Sequence, residues 1–174
     1  QPFLLFVSQH AADRFTAGLG EHLHVVFEPS PLLEPFHDLA ESADVVVVSD
    51  YSGGTITQKV ADALSATGHE CVLLDSKDPL RLRWQDLAAI TPNHLEVQKA
   101  LDLPVEANPD GVDAGTVGQA LRRKIGARAV VVTLAEEGAV VVDEEVTVRV
   151  ECRRVANPDV NGAGDTFLAT FALS

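Results

Sequence analysis

The sequence predicts a three-layer α/β/α domain built around a mostly parallel β-sheet. Three observations carry that expectation. Short, continuously apolar, β-branched runs such as Val45-Val46-Val47-Val48 fit strands buried on both faces. Between such runs, apolar residues recur at helical spacing, as right-handed βαβ units require. Late in the chain "GAVVVD" and "VTVRVE" follow each other across a short gap, which adds an antiparallel hairpin. The 174 residues, 46% of them hydrophobic, suffice for one compact domain with a core, and residues 1–174 are taken as that single domain.

Taken in order, Phe3 to Val7 and His22 to Phe27 are the first apolar runs, both read as strands. Leu32, Leu33, Phe36, Leu39 and Ala40 recur at helical spacing behind Pro31, a residue that a first helical turn tolerates. "DVVVVSD", residues 44 to 50, is the next strand, and Ile56, Val60, Ala63 and Leu64 mark a helix that Gly68 ends. "CVLLDSK" and "LAAITPN", residues 87 to 93, are two further strands. A short helix runs from His94 to about Leu101, then a Pro/Asn/Asp/Gly-rich loop over residues 104 to 111, then a helix carrying Val117, Ala120, Leu121 and Ile125. "RAVVVTL" is a strand that leads into the hairpin. In "VTVRVE", Val146, Val148 and Val150 alternate with polar neighbours, so one face of that strand is expected to meet water. The last helix begins inside "PDVNGAGDTF", residues 158 to 167.

A formal net charge of −13 and a pI near 4.7 argue against nucleic acid and anionic membrane as partners, since both reward basic patches. Small molecules are the expected partners. No apolar run approaches the roughly 20 residues that cross a bilayer. The first residues lack a secretory layout, and Cys71 and Cys152 form no CxxC pair, so a reducing cytoplasm is the expected location. With no methionine anywhere, and with "FLATFALS" breaking off inside an apolar helical pattern, the chain reads as a fragment. An uncovered sheet edge in so short a chain favours self-association as a homodimer. His22 and His24 share a strand face, but a metal site would need a third ligand. Trp84 is expected to pack rather than stack on a nucleobase, and His94 is expected to be exposed.

The chemistry concentrates in the glycine turn. Gly162, Ala163 and Gly164 precede the last helix, where unpaired backbone N–H groups and the positive end of the helix dipole accumulate. Small residues let that backbone approach an oxyanion, so the amides of positions 162 to 165 form a cradle for phosphoryl charge. Asp165, in the first turn, would act as general base toward an attacking hydroxyl. The alternative makes Asp165 an N-terminal cap and the glycines a tight turn. No GxxxxGK[ST] occurs, and "GAGDTF" lacks the third glycine of a dinucleotide turn.

"NGAGDTFLATF" resembles the glycine-aspartate signature of the ribokinase/PfkB family of carbohydrate kinases, and further segments agree in order. "TPNHLEV" is similar to that family's N-x-x-E motif, which implies that Asn93 and Glu96, at i and i+3 on one helical face, hold a water-bridged Mg2+ against the phosphates of ATP. "VVTLAEEGAVVV" resembles its nucleotide-contacting strand and hairpin, with Thr133, Glu137 and Gly138 at the matching positions. "SDYSGGTIT" and "LLDSKDP" look most like the branch that phosphorylates heptose 7-phosphate on the way to ADP-heptose. In that branch a D-x-K strand end, here with Lys77, reaches the phosphates, and Asp50 contacts the sugar. Asn161 stands where the family usually has threonine, and Ala135 where it has glycine. Asp159 matches an aspartate of a monovalent-cation (K+) site.

The resemblance implies a ribokinase-like fold, D-glycero-D-manno-heptose 7-phosphate as acceptor, and an N-terminal part and β lid that are missing here. Two alternatives stay open: a related sugar or nucleoside kinase with another acceptor, and a non-catalytic nucleotide-binding remnant. For Asp50 the competing assignment is a side chain that caps the turn after its strand.

Overall fold

Side chains alternate along a strand, so a run such as Val45–Val48 must find apolar partners on both sides. It does. In the computed structural model, which describes residues 3–6, 23–26, 40–105, 111, 113–153 and 163–174, Val46 and Val48 belong to one core cluster and Val47 to another. Leu73 likewise faces away from Val72 and Leu74, and Ala89 away from Ile90. A sheet therefore separates two helical layers, as expected.

Strands β1 (Phe3–Phe6), β2 (Leu23–Val26) and β3 (Val45–Asp50) precede helix α1 (Gln58–Ala66), strands β4 (Val72–Ser76) and β5 (Ala89–Ile90), and helices α2 (His94–Ala100) and α3 (Ala114–Ile125). Strand β6 (Ala129–Thr133), a 3-10 turn (Ala135–Glu137), β7 (Ala139–Val142), β8 (Thr147–Val150) and helix α4 (Ala163–Ala172) complete the described chain. The sheet order is β2-β1-β3-β4-β5-β6-β7-β8. Pairing is parallel as far as β6 and antiparallel from β6 to β8. Helices α1, α2 and α3 pack on one face through Leu64, Val97 and Leu121, and α4 packs on the other through Leu168. Leu64, Leu121 and Leu168 are fully buried, each worth about 1.5–3 kcal/mol relative to exposure.

Several expectations need adjustment. The regular ladder of β5 covers only Ala89–Ile90, although the residues beside it still bond to β4, as Ala88 N–H to Val72 O and Thr91 N–H to Leu74 O. Helix α1 starts at Gln58, not at Ile56, although Ile56 is buried; Gly68, at φ +65°, ends it as expected. His94 is buried, since it opens α2 inside the domain. Trp84 packs into the core. Every residue of β8 is exposed, so both of its faces meet water rather than one; among the described residues β8 is an edge of the sheet, and its valines are left outside both core clusters. The helix expected behind Pro31 lies outside the described residues except for its helical end at residues 40–42, and His22 and part of the loop at 104–111 also fall outside them. Among the described residues, no helix is long and apolar enough to cross a membrane, and both cysteines are free thiols.

Candidate active site

Parallel strands deliver their carboxyl ends to one edge of the sheet, where ligands of open α/β sheets settle. Asp50 ends β3, Asp75-Ser76-Lys77 ends β4, Asn93 follows β5 and Thr133 ends β6. A parallel bridge joins Asn93 to Thr133, and Thr133 N–H donates to Pro92 O at 3.0 Å. Across the same edge, Gly164 in the first turn of α4 stands so close that a Cβ on it would lie 3.8 Å from Asp75 Oδ2. Helix α4 thus brings its N-terminus to the D-x-K strand end.

Asp165 is the third residue of α4 and 6% exposed, so it is not the N-cap. Its carboxylate accepts the Tyr51 hydroxyl on both oxygens, at 2.9 Å on Oδ1 and 2.8 Å on Oδ2. Ala163 and Gly164 are exposed, and the first-turn amides of a helix have no intrahelical acceptor. Gly162, Asn161 and Asp159 lie outside the described residues.

Asn93 and Glu96 have a more specific relation than a shared helical face. Asn93 is the N-cap of α2, with extended backbone (φ −79°, ψ 167°). Its Oδ1 accepts the N–H groups of Leu95 (3.0 Å) and Glu96 (2.9 Å), while Glu96 Oε2 accepts Asn93 N–H at 2.8 Å. That is a capping box. The other oxygen, Oε1, accepts from Lys77 Nζ at 2.8 Å, an ion pair between a buried acid and a half-exposed ammonium. Burial pulls the Lys77 ammonium down, but the hydrogen bond and charge of Glu96, followed by Asp75 and Asp165, outweigh it and leave the pKa raised. The same ammonium lies 5.7 Å from the centroid of the Tyr51 ring, within cation–π range.

Asp50 is buried and fully engaged. Its Oδ1 accepts Ser52 N–H at 2.9 Å, and its Oδ2 accepts Ser76 Oγ–H at 3.0 Å and Arg81 Nη2 at 2.9 Å. The carboxylate therefore fixes the turn after β3, in line with the capping alternative. Asp75 differs. It is half-buried as a residue, but its carboxyl is enclosed, and burial, followed by the charge of Glu96, pushes its pKa up to about 7, with Lys77 opposing and Asp165 and Asp50 adding to the rise. Sequence reasoning singled out Lys77 of the D-x-K but assigned no role to Asp75, and it passed over Tyr51 and Arg81. The signal for Asp75 and Tyr51 was their place in the quoted motifs.

Glu137 and Gly138 follow β6, whose last residue, Thr133, is bridged to Asn93. Glu137 closes the 3-10 turn and pairs with Arg149 at 3.6 Å. Gly138, at φ +93°, abuts β8: a Cβ there would overlap the carbonyl oxygen of Val150 and come within 2.9 Å of Cys152 N. Only glycine fits.

The model of the pfkB family carbohydrate kinases matches residues 4–174. The chain belongs to the pfkB family of carbohydrate kinases. Among curated proteins it is 36% identical over 152 residues to the bifunctional protein HldE of Mesorhizobium japonicum, covering 84% of this chain and 30% of that protein. It is 33% identical over 137 residues to HldE of Gluconacetobacter diazotrophicus, covering 76% of this chain and 28% of that one. The chain therefore spans less than a third of the length of these relatives. Among solved structures, Escherichia coli phosphofructokinase-2 in complex with fructose-6-phosphate matches with a TM-score of 0.62 at 15% identity, covering 98% of this chain and 68% of that one. Arabidopsis thaliana ribokinase complexed with ribose and ATP gives 0.63 at 18%, covering 99% and 68%. At these identities the likeness speaks for the ribokinase-like fold. Ala135, where the resemblance leads one to expect glycine, adopts φ +52°, a left-handed conformation that glycine reaches without cost.

Proposed function

We propose that this chain carries the nucleotide-binding and catalytic portion of an ATP-dependent kinase that phosphorylates a hydroxyl of a sugar or sugar phosphate. The observation that carries the reading is Asp165, held by hydrogen bonds at the N-terminus of α4, at the strand edge where a nucleotide and a sugar would meet. In this reading Asp165 takes the proton of the acceptor hydroxyl as it attacks. The amides of Ala163, Gly164 and Asp165, with Gly162, receive charge spreading over the transferred phosphoryl oxygens. Lys77 adds a positive charge beside them, and Glu96 holds that ammonium in place. Asn93 and Thr133, joined across two chain segments, orient the nucleotide end together with Glu137, Gly138 and Asn161. Asp50 anchors the turn that presents Tyr51 to the site.

Among the described residues no three Asp, Glu, His or Cys side chains stand close enough to ligate a metal directly. Mg2+ fits through water, in keeping with its habit of taking one or two carboxylates plus phosphates, with Asn93 and Glu96 as the residues that would hold it and Asp75 as a second acid near Glu96. When bound it would neutralise phosphate charge. Asp159 remains the candidate for a K+ site. The D-x-K strand end and the HldE relatives favour D-glycero-D-manno-heptose 7-phosphate as acceptor, with its anomeric hydroxyl as nucleophile. The free thiols suit a reducing cytoplasm, and the exposed β8 edge suits a homodimer.

Calorimetry with MgATP, paired with a phosphoryl-transfer assay over a panel including heptose 7-phosphate, fructose 6-phosphate, ribose and adenosine, tests the reading. Binding with turnover on a sugar supports it, and preference for heptose 7-phosphate supports the finer assignment. Binding without turnover on any acceptor leaves a nucleotide-binding protein instead.

A further inference from the structure

We propose that Tyr51 is a positioning residue: its hydroxyl caps the Asp165 carboxylate and gives up that place to the acceptor hydroxyl. The proposal rests on the kinase reading above. One phenol O–H reaches both carboxylate oxygens at 2.8–2.9 Å, yet a single proton satisfies an acceptor with about four lone-pair sites only in part. Capacity for an incoming hydroxyl remains. Tyr51 is 41% exposed while Asp165 is 6% exposed, so the ring forms the outer layer over the carboxylate. Its root is fixed, because Asp50 accepts Ser52 N–H. The residues beyond it have room to adjust: Ser52 and Gly54 have positive φ, and a Cβ on Gly53 or Gly54 would touch nothing. Above the ring sits Lys77, the cation assigned to the phosphates, so the tyrosine bridges the acceptor side and the nucleotide side of the site.

In transfer, the acceptor oxygen bonds to the γ-phosphorus as the bond from that phosphorus to the β–γ bridging oxygen breaks, ADP departs, and the hydroxyl proton passes to Asp165. Water in the same place would give ADP and inorganic phosphate. A phenol over the carboxylate keeps water from that position until a sugar hydroxyl displaces it. Removal of the hydroxyl therefore shifts the balance toward hydrolysis.

Tyr51 is the chain's single tyrosine, so protein labelled with 3-fluorotyrosine reports on it through a 19F resonance assigned by its loss in Tyr51→Phe. Asp165→Asn moves that resonance without ligand, and heptose 7-phosphate moves it in the otherwise unaltered protein. Tyr51→Phe raises the ratio of ATP hydrolysis to sugar phosphorylation by about tenfold, the order attached to a hydrogen bond to a charged group, and leaves MgATP affinity unchanged. A resonance indifferent to both Asp165→Asn and every acceptor, or an unchanged ratio in Tyr51→Phe, overturns the proposal. A resonance that responds in a protein without phosphoryl transfer to any sugar upholds the displaceable cap and overturns the kinase reading instead.

Discussion

Replacing Asp75 with asparagine isolates what it costs to keep a carboxyl inside the candidate site. Burial and the negative charge of Glu96 raise its pKa from 3.8 to about 7 in the folded chain. The folded state thus binds a proton more tightly than the unfolded state, and the stability this confers is fully present below pH 3.8 and lost as pH rises through about 7. At about 1.4 kcal/mol for each tenfold change in proton affinity, the ceiling is about 4 kcal/mol. An asparagine in its place would be neutral at every pH with nearly the same shape. Urea unfolding of the wild type between pH 4 and 8 should show stability falling toward pH 7, while Asp75→Asn stays flat across that interval. At pH 8 the variant should be the more stable by about 2–4 kcal/mol, and at pH 4 the two should coincide. Parallel curves for the two proteins would refute the reasoning. Such a stabilised variant is expected to lose activity, since strain of this kind is retained at functional sites.

Three other substitutions follow from the same edge of the sheet. Gly138→Ala forces a Cβ into the β8 backbone at φ +93° and should cost about 3 kcal/mol or more in chemical denaturation. Ala135→Gly relieves φ +52°; the gain of about 1–2 kcal/mol, less the extra chain entropy of glycine, should raise stability by about 0.5–1 kcal/mol. Lys77→Met leaves Glu96 without its 2.8 Å partner and should weaken MgATP binding by roughly tenfold in calorimetry.

The layers were legible because buried strands write a continuous apolar signal: Val45–Val48, Val72–Leu74 and Val130–Val132 each emerged as strands, the first two with side chains sent to alternate cores. Exposure at the edge was not, since the alternating valines of β8 look like a half-buried strand while nothing in the sequence says that they stay outside both core clusters. Local motifs named Asn93, Glu96, Lys77 and Asp165, yet their mutual relations are tertiary. The Lys77–Glu96 pair spans 19 residues and the Tyr51–Asp165 contact spans 114. Tyr51 carries no local sign that its hydroxyl closes over a carboxylate at the other end of the chain. Likewise the rise at Asp75 comes from burial and from Glu96, neither of which a D-x-K tripeptide reveals.

The most direct measurement is the rate of phosphoryl transfer to the preferred sugar by Asp165→Asn. Loss of the general base should lower kcat by about 10²–10⁴-fold, with MgATP affinity held within a factor of a few. A variant that keeps kcat near the wild-type value would contradict the assignment of Asp165, and with it the kinase chemistry built on the N-terminus of α4.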